Sequence, residues 1–158
     1  MNGRSPDDRI LPNRSMPPGS IIPELAYGDV LSAADWLCSA FGFRERMRIG
    51  RHRCQLVLGD ASIVVISLPG GNSSTPGAAA GAAGVHHTHG IMVRVANVDE
   101  HYNHVKALGG TILSAPETFP FGERQYSVQD PGGHRWTFTQ SVEDVDPAEW
   151  GGEAIGGL

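Results

Sequence analysis

The sequence predicts an α+β fold made of two copies of one β-α-β-β-β module. Three observations point there. Short runs of alternating apolar and polar residues, the pattern of half-buried strands, surround two stretches with helical spacing. The two helical stretches begin at capping residues, Asp29 and Asn97, and stop at Gly42 and Gly110, so starts and stops share an offset of 68. The strand before each helix keeps that offset, with Leu25 falling on Val93 and Tyr27 on Val95. A period this long implies two copies of one supersecondary unit.

The elements follow in order. "PELAYGD" sets Leu25 and Tyr27 against Glu24 and Ala26, as a first strand would. Asp29 caps a helix whose apolar positions Val30, Leu31, Ala34, Leu37, Cys38 and Phe41 share one face, and Gly42 ends it. "RERMRIG", "CQLVLGD" and "ASIVVISL" are three short strands separated by turn residues. The second copy opens with "GIMVRVAN", where Ile91, Val93 and Val95 alternate with Met92 and Arg94. Its helix starts at Asn97, with Glu100 in the capping-box position, and buries Val98, Tyr102, Val105 and Leu108. His101 and His104 are expected to face solvent. "TILSAPE", "ERQYSVQD" and "HRWTFTQ" complete it, and the last strands align Ile66-Ser67-Leu68 with Trp136-Thr137-Phe138. A single copy has only one helix to cover its sheet, so the modules should need each other for stability.

This gives modules at 21–68 and 88–141, a loose polar tail at 1–20, a glycine-rich tail at 142–158 and a linker at 69–87. The linker, "PGGNSSTPGAAAGAAGV" and the residues after it, has a flexible composition and exceeds the roughly 4–6 residues usual inside a compact domain. It would serve as a lid, or as a hinge for exchanging modules between chains. With 40% hydrophobic and 18% charged residues, the composition is that of a soluble globular chain. A net charge of -5 without a Lys/Arg cluster argues against nucleic-acid binding. No apolar run approaches the roughly 20 residues of a membrane span, and the opening residues lack a signal-peptide core. Two cysteines, Cys38 and Cys54, make no disulfide framework, so a reducing cytoplasmic setting is expected.

The repeat, the helix "VDEHYNHVKALGG" and the stretch "GERQYSVQDPGGHRWTF" with the trailing "DPAEWGG" resemble the vicinal oxygen chelate superfamily. That group holds glyoxalase I, bleomycin-resistance proteins and extradiol dioxygenases, and the likeness is greatest to small bacterial glyoxalase/bleomycin-resistance-like proteins. The resemblance implies two βαβββ modules forming a curved mixed sheet around a concave pocket, commonly in a homodimer. Members that use a metal ligate it from the first and last strands of each module, and those places fall here on Ile22, Ser67, Gly90 and Thr137. The register at Ser67 is open by one residue, toward Ile66. Ile22 and Gly90 have no side-chain donor, and hydroxyls are weak ligands, so no metal or other cofactor is expected.

The histidines of "VHHTHG", His86, His87 and His89, could restore one ligand by a one-residue slip. That slip would turn Ile91, Val93 and Val95 away from their helix. His134 reads as a turn-stabilising side chain. If Thr137 faces the concavity, then Arg135, Thr139, Met92, Arg94, Glu24 and Ala26 share its face, and Arg124, Tyr126, Phe119 and Phe121 are candidates to line it. Such a lining suits a small, partly aromatic or apolar molecule with an anionic or hydrogen-bonding group. The expected role is metal-free binding and sequestration of that molecule. The alternatives are a lyase, isomerase or dioxygenase of the same superfamily, metal-dependent or using Glu24 as base, and a scaffold with an empty pocket.

Overall fold

The structure is a computed structural model that describes residues 11–69 and 88–155. Most of the expected linker, with His86 and His87, lies outside the described residues. Strand β1 (Glu24–Tyr27) leads into helix α1 (Val30–Phe41), followed by β2 (Arg44–Ile49), β3 (Arg53–Leu58) and β4 (Ala61–Ser67). The second copy repeats the order with β5 (Ile91–Arg94), α2 (Val98–Ala107), β6 (Thr111–Thr118), β7 (Glu123–Gln129) and β8 (Arg135–Ser141). Each copy is a four-stranded mixed sheet, ordered β1-β4-β3-β2 and β5-β8-β7-β6. The first strand of each runs parallel to the last, and the other pairs are antiparallel. No helix among the described residues is long and apolar enough to cross a membrane.

Both helices start where the sequence places them. The Asp29 carboxylate accepts the Leu31 and Ser32 amides, and the Asn97 side chain accepts that of Glu100. Gln140 adds a second acceptor, for the Val98 amide. Gly42 closes α1 in the left-handed conformation, donating to Cys38 O.

One apolar core runs through both modules. α1 and α2 pack against each other, and Phe41 at the end of α1 meets the rings of Trp136 and Phe138 at 5.0 and 4.8 Å. Both sheets turn their helix-covered faces to this core, so their other faces point away from it. His101 belongs here and is not on the solvent side. Its ring lies 4.0 Å from that of Phe138, its Nδ1 is 2.7 Å from the Tyr126 hydroxyl, and its buried Nε2 has no partner among the described residues. Position 101 falls three residues after Val98 and four before Val105, on the buried stripe itself. His104 stays exposed and reaches Ser39 O of α1 at 2.8 Å.

A second junction is polar. The buried Asp130, in the turn between β7 and β8, accepts from the Tyr27 hydroxyl at 2.5 Å and the Trp136 indole at 2.9 Å. Its other oxygen accepts the amides of Gly132 and His134. Tyr27 comes from the other module, and burial followed by the Asp130 charge pushes its hydroxyl's pKa far upward. His134 does more than stabilise its turn, because Nε2 donates to Ala26 O of β1 at 2.9 Å. Gly132 lies under the Tyr27 ring, where a Cβ would come within 2.3 Å of Cδ1. Only a residue without a side chain lets the turn approach that closely.

Candidate functional site

Strand pairing decides which side chains share the open face of the second module. Met92 lies beside Thr137 and Arg94 beside Thr139 across the β5–β8 pair, while Val93 and Phe138 turn to the core. Thr137 in turn lies opposite Ser127, and Thr139 opposite Gln125. The open face therefore carries Met92, Arg94, Arg135, Thr137, Thr139 and Ser141, together with Glu123, Gln125 and Ser127 from β7. Met92, 64% exposed, is its apolar element.

Two residues expected here lie on the other side. Tyr126 pairs with Phe138 and stacks on it at 5.4 Å within the core. Arg124, two residues away on the same face, forms a two-pronged ion pair with Asp99 of α2 at 2.9 and 2.8 Å. The β7–β8 turn fixes this, since Gln129 opposes Arg135 and every earlier pair follows. The signal was in the sequence, because Tyr126 and Val128 are apolar and Ser127 and Gln129 polar.

Glu123, Gln125 and Ser127 are the residues sequence reasoning missed. Glu123 accepts the hydroxyls of Thr139 and Ser141, and Gln125 donates to Thr139 Oγ1 at 3.1 Å. Ser127 Oγ and Thr137 Oγ1 are 3.0 Å apart. The hydrogen bonds from Ser141 and Thr139 hold the Glu123 carboxyl below the usual range, and the Arg94 charge adds to the shift. This is an acceptor held ionised by its neighbours. Beyond Glu123, Phe121 stacks on Phe119 at 5.3 Å and meets Trp150, in a 3-10 turn at Pro147–Trp150, at 5.8 Å. The aromatic pair stands at the Glu123 end of the face and anchors the C-terminal segment.

In the first module the face opposite the helix carries Glu24 and Ala26, but Glu24 is paired with Arg53 at 3.3 Å. The place equivalent to Thr137 is Val64 and not Ser67. Glu24 pairs with Val64 as Met92 pairs with Thr137, whereas Ser67 lies beside Tyr27 on the core side. The second copy is longer between its helix and last strand, which moved the sequence alignment by three residues. The first-strand positions remain Ile22 and Gly90, just before β1 and β5. Isoleucine, valine, glycine and a threonine already engaged with Ser127 do not make the imidazole, thiolate or carboxylate set a divalent ion requires. Among the described residues no three His, Cys, Asp or Glu side chains converge elsewhere, and His89 stands exposed before β5.

Arg94 and Arg135 are exposed and make no hydrogen bond or ion pair among the described residues that the fold would miss. Arg94→Ala and Arg135→Ala should each change the unfolding free energy by no more than about 0.5 kcal/mol, measured by urea denaturation. A loss of about 2 kcal/mol or more would make that arginine a structural residue.

Two βαβββ modules with this topology define the glyoxalase-type fold, and the sequence agrees. Residues 21–138 match the model of the Glyoxalase/Bleomycin resistance protein/Dioxygenase superfamily, and the chain belongs to that superfamily. Similar solved structures include TioX from Micromonospora sp. ML1, with 36% identity and a TM-score of 0.62 over 78% of this chain and 100% of that one. TnmS3, an antibiotic binding protein from Streptomyces sp. CB03234, shares the fold at 22% identity and a TM-score of 0.58, over 76% and 93% of the two chains. An uncharacterized protein of Mycobacterium bovis is 29% identical over 139 residues, which is 82% of this chain and 88% of that one.

Proposed function

We propose that this protein binds and sequesters a small, partly aromatic or apolar molecule on the open face of its second module, without a metal. The observation that carries this reading is the lining around Thr137. Where metal-using members place ligands, the chain presents Ile22, Val64, Gly90 and Thr137, while Met92, Arg94, Arg135 and a row of hydroxyl and amide groups offer contact and hydrogen bonding. Met92 supplies an adaptable apolar surface, and the arginines suit an anionic or carbonyl-bearing edge. That TnmS3 is an antibiotic binding protein supports the same use of the fold. A second copy of the chain, setting its own open sheet face against this one, would enclose the ligand as a homodimer.

Catalysis by a carboxylate base is less well supported. Glu24 is engaged with Arg53, and Glu123 is held ionised by two hydroxyls, a state suited to accepting hydrogen bonds more than protons.

The test is a fluorescence titration of tag-free protein with a panel of aromatic antibiotics and aromatic carboxylic acids. It is repeated after dialysis against a chelator, and the bound compound is recovered for mass analysis. The expected result is saturable binding that the chelator leaves unchanged and Met92→Glu weakens at least tenfold, with the compound recovered intact. Recovery of a converted product, or loss of binding on chelation, would establish an enzyme or a metal site instead.

A further inference from the structure

The two open sheet faces are not alike. At the places of Arg135 and Thr137, exposed and half-buried in the second module, the first has Ser62 and Val64 at 3% and 2% exposure, and Gln55 beside them is buried as Ser127 is. No helix among the described residues covers them, since α1 packs on the opposite face through Cys54, Leu56 and Val65.

The chain's own N-terminal segment reaches this face. Gln55 Nε2 donates to the Ser15 carbonyl at 2.7 Å, and Arg46 donates to the Arg14 carbonyl at 3.0 Å. Arg46 also donates to Gln55 Oε1, so the two donors are locked to one another before they reach the segment. Arg46 owes its place to a bulge in β2. Glu45 opposes Leu56 and Met47 opposes Gln55, leaving Arg46 as the extra residue with its guanidinium over the open face. Pro17 is the one buried residue of 11–20. Ser62, opposite Val57 on the same face, keeps a buried hydroxyl with no partner among the described residues, a further donor the segment does not use.

Backbone carbonyls accept at both contacts, so recognition does not depend on the segment's side chains. A buried glutamine and a linked arginine aimed at consecutive carbonyls are suited to an extended peptide. We propose that the open face of the first module is a peptide-binding surface, and that residues 13–17 occupy it as an intramolecular ligand. The segment covers this part of the first module's face while it is seated. The proposal is independent of what the second module binds.

Trypsin tests it on the full chain, because the bond between Arg14 and Ser15 is a tryptic site whose carbonyl is the one Arg46 holds. Cleavage there is followed by mass spectrometry in the wild type, in Arg46→Met and in Arg46→Met/Gln55→Met, beside a free peptide covering residues 11–20. Unfolding curves confirm that each variant is folded, and Arg46→Met, on an edge strand, serves alone if the double variant is not. The wild-type bond should be cut at least tenfold more slowly than the peptide, and either variant should lose most of that protection. A wild-type bond cut as fast as the peptide, or equal protection in wild type and variants, would overturn the proposal.

Discussion

Asp130→Ala is expected to lower the unfolding free energy by about 3–5 kcal/mol, the range for removing one side of a buried charged hydrogen-bond network. The carboxylate accepts four hydrogen bonds, and alanine leaves the Tyr27 hydroxyl, the Trp136 indole and two amides without a partner where water cannot easily replace it. The loss falls on the junction, because Tyr27 belongs to one module and Trp136 to the other. Tyr27→Phe removes a single bond and should cost less, about 1–2 kcal/mol. Urea unfolding followed by tryptophan emission measures both. A loss under 1 kcal/mol for Asp130→Ala would mean that the modules do not depend on this network.

The second large effect is on pH. Burial first, and then the charge of His104, pull the His101 pKa from 6.5 down to about 4. The groups facing it are His104 on its own helix, the Phe41 carbonyl at the end of α1, Tyr126 of β7 and the Phe138 ring of β8. Between those two pKa values the unfolded chain binds a proton that the folded chain does not. Stability from this group is therefore complete above about pH 6.5 and falls as the pH drops toward 4, by up to about 1.4 kcal/mol per pH unit. His101→Gln cannot titrate, so its stability should decline less steeply than the wild type across that window, with other groups cancelling in the comparison. Parallel curves from pH 7 to 4 would show that His101 is not held neutral by the fold.

Why the layout was legible and parts of the site were not follows from where each kind of information resides. The repeat was readable because caps and apolar periods are local: Asp29, Asn97 and Gly42 act within a few residues of themselves. The face of β7 depends on its pairing with β8, so the assignment of Tyr126 and Arg124 to the open side failed although the polar and apolar residues alternate correctly. Ser67 was misplaced for a related reason. Its equivalence to Thr137 was counted along the chain, and the second copy carries extra residues before its last strand. His101 failed on residue type, since its spacing matched the buried stripe while its polarity argued for solvent. The seating of residues 13–17 had no signal to read, because Gln55 and Arg46 bind carbonyls that every residue has.

The position of Trp136 has a consequence for spectroscopy. Of the three tryptophans it alone is fully buried, with its indole N–H on Asp130 and the rings of Phe41 and Phe43 against it. Trp36 is half-buried on α1, and Trp150 stands exposed beside Phe121. A shielded indole emits at shorter wavelength than a hydrated one. The chain thus carries a built-in optical gauge at the seam between its halves, where a red shift of the bluest component marks their separation without any attached dye.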